Sequence, residues 1–349
     1  MFSRFFGKFS QDLGIDLGTA NTRVFVKERG LVIDEPSVVA LNNRTGRIIA
    51  VGREAKEMIG KTPSHITVSR PLAKGIISDF EVTEKMLRYF IDKIHSDGFT
   101  LVPRPRVVIG VPLEITEVER KAVEDAVLSA GAREVSLVEG PMVAAIGARL
   151  PVREAVGNII IDIGGGTTEI AVVALSGVVI WKSFPVAGDE FNKNIIQYAR
   201  ENFNLHLGEK VAEAVKIQIG SAADVDDMPA EVLMRGRDVV TGLPREVAVR
   251  SDDIREALAR SVRVIVEGIK STLERTPPDL VADISERGMA LVGGSALLRG
   301  IDAAIAKATA TPVKMVDDPQ SALVRGTGIL LESNEWLKEI ALPSARDGA

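Results

Sequence analysis

Two short stretches of this sequence carry residues suited to handling phosphate. The first is Asp16-Leu17-Gly18-Thr19-Ala20-Asn21 and the second Asp162-Ile163-Gly164-Gly165-Gly166-Thr167. In each, an acid ends an apolar run and glycine follows. Glycines let backbone amides approach a ligand that side chains would hold off, and successive amides in a turn make an anion-binding concavity. An aspartate beside such a turn can hold a hydrated Mg²⁺ facing the anion. The implied chemistry is metal-assisted binding of a polyphosphate. For either stretch alone the alternative is an ordinary glycine-rich turn, because short motifs recur by chance.

Both stretches need the same support: a strand in, a tight turn and a strand out. Leu13–Leu17 and Thr22–Val26 flank the first turn, and Asn158–Asp162 and Thr168–Val173 the second. Aligning Asp16 with Asp162 places Gly18 on Gly164, Thr22 on Thr168 and Val26 on Val172. The offset is 146 residues (162 − 16), close to half of a 349-residue chain. A repeat at that distance predicts two similar lobes, and two such hairpins would clamp a polyphosphate from both sides.

The remaining pattern is α/β. Residues 31–70 read as a small β-rich insertion with a short helix near Arg53–Ile59. An amphipathic helix through Met86, Phe90 and Ile94 covers 81–95, and a strand covers Arg106–Val111. Thr116 and Glu119 make a capping box for a helix that ends before Gly131. A strand at Glu134–Val138 leads through Glu139-Gly140-Pro141 into a helix over Met142–Ala148. After the second turn come helices at Asp189–Glu201 and Gly208–Ile219, then a β-rich insertion over 224–250. Ser251 is expected to cap a long helix stopped by Thr276-Pro277-Pro278. A strand Met289–Val292 then meets Gly293-Gly294-Ser295 and a helix near Ala296.

Composition narrows the function. The net charge of −5, with both signs mixed, argues against a generic nucleic-acid binder. With no cysteine there is no thiolate zinc site, disulfide or cysteine nucleophile, and His65, His95 and His206 fall in no metal-like spacing. No apolar run approaches the ~18 residues needed to span a bilayer, and Arg4 and Lys8 interrupt any signal-peptide core. The expected location is therefore cytoplasmic. Phe2, Phe5, Phe6 and Phe9 nevertheless share one helical face beside Arg4 and Lys8. Such a helix suits a membrane interface with anionic lipid; the alternative is a tail that frays or packs on its own domain. Phe99 and Leu101 read as exposed apolar residues in the loop after the 81–95 helix. Neither a dinucleotide-binding GxGxxG in a βαβ unit nor a Walker A motif occurs.

These segments in this order resemble the actin-like ATPase superfamily, and within it the bacterial cytoskeletal MreB family. The segments that carry the resemblance are IDLGTANT (15–22), EPSVVAL (35–41), RPLAKGIISDFE (70–81), VIGVP (108–112), PMVAAIGARLP (141–151), DIGGGTTEIAVV (162–173), TGLPREV (241–247) and LVGGSALLRG (291–300). The resemblance implies an actin-like fold with two lobes, each a mixed-sheet RNase H-like core carrying a smaller inserted subdomain. Lobe I would comprise 11–150 and about 315–349, with its small subdomain near 33–69. Lobe II would comprise 151–314, with its small subdomain near 185–245, and 1–10 would be the membrane-binding segment. ATP and Mg²⁺ are the implied cofactors. Asp16 and Asp162 match the acids that organise the metal; Gly18, Thr19, Ala20 and Asn21 match the first phosphate loop and Gly164, Gly165 and Gly166 the second. Glu213 and Lys216 match helix residues beside the nucleoside, although an i, i+3 pair of this kind also suits a surface salt bridge. Gly293, Gly294, Ser295 and Ala296 match the adenosine-side turn. Glu139 and Thr167 are the candidate catalytic residues. The implied partners are further copies in paired protofilaments, inner-membrane lipid through Phe2, Phe5, Phe6, Phe9, Phe99 and Leu101, and the transmembrane machinery of cell-wall elongation.

Two positions depart from the family pattern. A glutamate usually stands directly before the proline of the PMAAAIG-type helix, where this chain has Gly140, and the carboxylate is displaced to Glu139. In-line attack on a γ-phosphate needs an oriented water, so either Glu139 takes over through a changed turn or hydrolysis is slow, and slow hydrolysis is the expectation. Ser295 replaces a third glycine and is expected to cap the helix that follows. A small-molecule kinase of the same superfamily would need a further catalytic base and a substrate pocket, for which only Glu139 is a candidate. A heat-shock chaperone ATPase lobe would be followed by a substrate-binding domain.

Overall fold

The computed structural model describes residues 11–96, 104–225 and 231–344. Chain contacts divide it into two units. One holds the residues up to Ala155, Val173–Val178 and those from Gln320 onward; the other holds Val156–Val172 and Val179–Pro319.

The first unit is built on a mixed five-stranded sheet. Its strands are β1 (Leu13–Leu17), β2 (Asn21–Val26), β3 (Gly30–Pro36), β9 (Arg106–Val111) and β10 (Glu134–Glu139), in the order β10-β9-β1-β2-β3. β1, β9 and β10 are parallel, with Asp16 and Val138 both opposite Gly110, while β2 and β3 run antiparallel. β3 thus belongs to the main sheet, although its residues fall in the stretch read from sequence as an insertion. The inserted part is β4 (Val39–Asn42), β5 (Arg47–Val51) and β6 (Ile66–Ser69) in a small sheet, followed by the hairpin of β7 (Leu72–Ala73) and β8 (Ile76–Ile77).

Alternation along the pleat divides the main sheet's residues between two faces. Leu13, Ile15, Leu17, Ile109, Val111 and Leu137 pack with Met86, Phe90 and Ile91 of the helix Phe80–His95 and with Val123 and Val127 of the helix Glu117–Ser129. The latter helix starts with the expected capping box between Thr116 and Glu119. The other face meets the helix Ala322–Glu332 at very short range. A Cβ on Gly14 would fall 2.2 Å from Thr327 Oγ1. That helix in turn lies against Gly140–Gly147, where a Cβ on Gly147 would fall 1.8 Å from the Ala322 carbonyl and one on Gly326 1.9 Å from the Val143 carbonyl. Only glycine permits this backbone-to-backbone approach.

The second unit repeats the plan. β11 (Asn158–Ile163), β12 (Thr168–Ala174), β13 (Gly177–Phe184), β17 (Met289–Val292) and β18 (Val313–Met315) form the sheet β13-β12-β11-β17-β18, with β11, β17 and β18 parallel. Ile159, Ile161, Ile163, Ile170 and Val172 pack with Phe191 and Ile195 of the helix Gly188–Phe203 and with Ile254, Leu258, Ile265 and Ile269 of the helix Ser251–Arg275. A small sheet of β14 (Leu205–His206), β15 (Val232–Asp238) and β16 (Pro244–Val249) accompanies the helix Glu209–Ile219.

Two local expectations are corrected. Arg250, not Ser251, is the cap residue of the long helix: its amide donates to Asp253 Oδ2 at 2.8 Å, while Ser251 Oγ donates to the Ile219 carbonyl at 3.0 Å. Pro277-Pro278 also does more than stop that helix, because Pro278 opens a further one, Pro278–Arg287. Proline suits a first helical turn, where its missing amide costs nothing. Among the described residues no helix is long and apolar enough to cross a membrane.

Candidate functional site

The turn after Asp16, a candidate phosphate loop, is held by the first unit alone. Asp16 lies at the carboxyl end of β1, the end of a parallel sheet at which ligands bind in open α/β folds. Its side chain is 14% exposed. Burial pushes its pKa from 3.8 to about 6, against the opposing pull of the Arg23 guanidinium and with some help from Asp34. The turn is braced from behind by Ser37. Its hydroxyl donates to the Gly18 carbonyl at 2.6 Å and lies 2.8 Å from Thr22 Oγ1, and its amide donates to the Ala20 carbonyl at 3.0 Å. In a trans peptide the C=O and the next N–H point in opposite directions, so anchoring the Gly18 carbonyl turns the Thr19 amide away from Ser37. A Cβ on Gly18 would fall 2.7 Å from the Asn21 carbonyl, so this position stays bare. Thr19 Oγ1 accepts from the Gly75 amide at 2.8 Å, which hooks the β7–β8 hairpin onto the turn.

Glu139 is the last residue of β10 and the residue before the helix Gly140–Gly147. Burial raises its pKa. The register places it opposite Val111, one step beyond the row of Asp16, Gly110 and Val138. Alternation therefore assigns Glu139 to the face of Leu137 and Val111, and Asp16 to the opposite face. Had β10 run one residue further, position 140 would have returned to the face of Asp16; there the chain has glycine.

The second turn is held by the second unit alone. The Gly164 amide closes it onto the Thr167 carbonyl at 2.9 Å. The Gly164 carbonyl accepts from Ser295 Oγ at 2.7 Å and from the Gly188 amide at 3.2 Å, and the Gly165 carbonyl accepts from the Asp189 amide at 2.8 Å. By the same trans geometry the Gly165 and Gly166 amides point the other way, forming a donor edge. Ser295 therefore does not cap the following segment as expected. It sits inside a short 3-10 turn, Gly294–Leu297, and ties that turn to the one that follows Asp162. Gly293 has φ +92, and a Cβ there would fall 2.3 Å from Asp162 Oδ1 and 2.4 Å from the Ile163 carbonyl. Asp162 lies opposite Val292 at the carboxyl ends of β11 and β17. Ala296 is buried beneath the turn. Lys216, with Glu213 on the helix Glu209–Ile219, donates to the Gly188 carbonyl at 3.1 Å, so this helix is tied to the same turn. The repeated threonines are equivalent in use: Thr22 meets Ser37 as above, and Thr168 Oγ1 donates to the Val186 carbonyl at 2.6 Å, both fully buried.

These residues fit a magnesium ion that arrives with a nucleotide. Asp16 is a hard oxygen donor whose burial makes its charge costly, which a bound cation would relieve. Among the described residues no three His, Cys, Asp or Glu side chains cluster as a protein-only metal cage. Magnesium needs no such cage, since it keeps several waters and binds through one or two carboxylates plus phosphates.

A family model described as MreB/Mbl protein matches residues 10–339. The chain belongs to the MreB/Mbl family. Among its relatives, the cell shape-determining protein MreB of Escherichia coli strain K12 is 48% identical over 336 residues, covering 95% of this chain and 96% of that protein. The cell shape-determining protein Mbl of Bacillus subtilis strain 168 is 45% identical over 329 residues, covering 94% and 98%. Among solved structures, MreB5 of Spiroplasma citri bound to ADP superposes with a TM-score of 0.89 at 34% identity, over 95% of this chain and 98% of that one. A MamK double helical filament superposes with a TM-score of 0.77 at 25% identity, over 93% and 99%. The fold of this MreB/Mbl chain is therefore actin-like, of the α/β class.

The membrane candidates Phe2, Phe5, Phe6, Phe9, Phe99 and Leu101 lie outside the described residues. Three contributors to the turns were not foreseen: Arg23 beside Asp16, Ser37 behind Gly18, and Gly75 on Thr19. Arg23 left a trace in the sequence, as the one charge in the apolar strand Asn21–Val26.

Proposed function

We propose that this chain is an ATP-binding cytoskeletal protein that assembles into filaments at the inner face of the plasma membrane and directs cell-wall elongation and rod shape. The observation that carries this is the pair of Asp-Gly turns, one in each unit, each with its carbonyls anchored and its donors turned outward. Family membership supports it: relatives are named for determining cell shape, MreB5 of Spiroplasma citri is solved with ADP and with AMPPNP, and MamK as a double helical filament. Bound magnesium would supply charge neutralisation along the phosphates. Asp16 and Asp162 would hold its waters, and the amides of the two turns would bind phosphate oxygens. Glu213 and Lys216 flank the nucleoside, and Gly293 to Ala296 shape its adenosine side. Nucleotide bound at these turns would favour a polymer-competent conformation, a shift driven by contacts made only in that state. Thr167 and Glu139 are the hydrolytic candidates, and with Gly140 at the usual glutamate position hydrolysis is slow.

Membrane attachment rests on the aromatic face Phe2, Phe5, Phe6 and Phe9 and on Phe99 and Leu101. Each subunit binds weakly, and a polymer multiplies the contacts. The partners in this reading are a second protofilament, lipid and the transmembrane elongation machinery. Electron microscopy on a lipid monolayer, with sedimentation at micromolar protein, tests it. ATP-dependent pelleting and membrane-bound filaments are expected; a protein that binds ATP yet stays in the supernatant under all nucleotide conditions refutes the cytoskeletal reading in favour of a soluble kinase.

A further inference from the structure

The first turn contains a cation of its own. Arg23 on β2 stands opposite Asp16 on β1 and Asp34 on β3, so the three make one row across the sheet. Its Nη1 is 3.7 Å from Asp16 Oδ2, its Nε is 3.1 Å from Asp34 Oδ1, and its Nη2 donates to Gln320 Oε1 at 3.0 Å. The Arg23 side chain is 8% exposed and Asp34 47% exposed. A buried guanidinium is costly unless it is paired. The better-screened of its two carboxylates is Asp34, so the charge that matters for the site is the one held against Asp16.

We propose that Arg23 is a resident counter-cation for Asp16 that sets how strongly nucleotide binding depends on divalent metal. The inference rests on the nucleotide reading above. Without metal, Asp16 repels a polyphosphate and Arg23 masks that repulsion. With metal at Asp16, the guanidinium is a like charge and opposes it. Both effects compress the ratio of nucleotide affinity with magnesium to affinity without it. Asp34 draws on the same guanidinium, so it tunes the effect in the opposite sense. Arg23 is thus a positioning residue acting through Asp16. A unit charge at ion-pair distance, well screened, shifts such an equilibrium by about tenfold.

The test is calorimetric titration of the full chain with ADP at pH 8, in magnesium chloride and in EDTA. Arg23→Gln is expected to raise the magnesium-to-EDTA affinity ratio about tenfold, mainly by weakening binding in EDTA. Arg23→Lys keeps the charge and should restore much of the wild-type ratio, and Asp34→Asn should lower the ratio below wild type. Equal weakening in both buffers by Arg23→Gln would make Arg23 a direct phosphate ligand and overturn the proposal. So would a ratio unchanged in Arg23→Gln. Should Arg23→Gln not fold, Asp34→Asn decides alone, an unchanged ratio again overturning it. Wild type that binds no ADP in either buffer defeats the nucleotide reading itself, a separate outcome from wild type that binds with an unresponsive ratio.

Discussion

Replacing Gly140 by glutamate should turn a slow ATPase into a faster one. β10 delivers Glu139 to the face of Leu137 and Val111, while Asp16 is on the other. Moving the carboxylate to position 140 advances it one residue, about 3.8 Å of chain, off the strand face of Leu137 and Val111 and into the first turn of the helix Gly140–Gly147. Gly140 is the first residue of a right-handed helix, so a side chain there meets no left-handed strain. A misplacement of ~1 Å can cost ~100-fold in rate, and a positioned base contributes ~100- to 10,000-fold. Gly140→Glu is therefore expected to accelerate phosphate release by roughly 100-fold at saturating ATP. Glu139→Ala in the wild-type background should change it less than about threefold, well short of a positioned base. Release is measured on protein whose ADP affinity and pelleting are shown to match wild type. A Gly140→Glu protein no faster than wild type, or a large loss in Glu139→Ala, would refute the argument from strand register.

Other outcomes follow from specific contacts. Gly147→Ala and Gly326→Ala each drive a Cβ into a backbone carbonyl at under 2 Å. Each should cost about 3 kcal/mol, read as a melting temperature lower by roughly 6–12 °C. Gly293→Ala, which combines φ +92 with contacts of 2.3 and 2.4 Å, should abolish ADP binding in calorimetry even where circular dichroism shows the fold retained. In metal-free protein Asp16 has its folded pKa raised from 3.8 to about 6. A raised carboxyl pKa favours the folded state below about pH 4 and loses that contribution as pH rises through about 6, an amount of roughly 3 kcal/mol. Denaturant unfolding of wild type and Asp16→Asn at pH 4 and 7 should show this slope only in wild type. Phe5→Asp with Phe6→Asp should detach filaments from liposomes without stopping pelleting; unchanged co-flotation contradicts the membrane assignment.

Most of the fold was legible because its signals are local. Alternating β-branched residues around Asp16 and Asp162 named the two hairpins, and Thr116 with Glu119 fixed a helix start. The apolar face from Ile254 to Ile269 is buried as its spacing predicts. What escaped depends on chain segments far apart in sequence. Ser295 reads locally as a cap, yet its hydroxyl is taken by a carbonyl 131 residues away. Ser251 likewise serves Ile219 instead of its own helix. The glycines at 14, 147 and 326 look like weak points of their elements until their partners are known. Arg23 shows only as a charge in an apolar strand; its meaning comes from the register that sets it between two acids.

The glycine seam also dictates an order of events during synthesis. The face of the first sheet behind Gly14 is finished by the helix Ala322–Glu332, so the opening 155 residues cannot bury that face when they leave the ribosome. The second unit is nearly contiguous, from Val156 to Pro319, and waits for no distant segment of the chain. At ~5–20 residues per second the unfinished face waits roughly 10–30 s for its partner. For most of that interval the second unit is still being made, so the nascent chain carries an open first sheet beside a growing second unit, and chaperone attention, premature association and sensitivity to C-terminal fusions should all concentrate there.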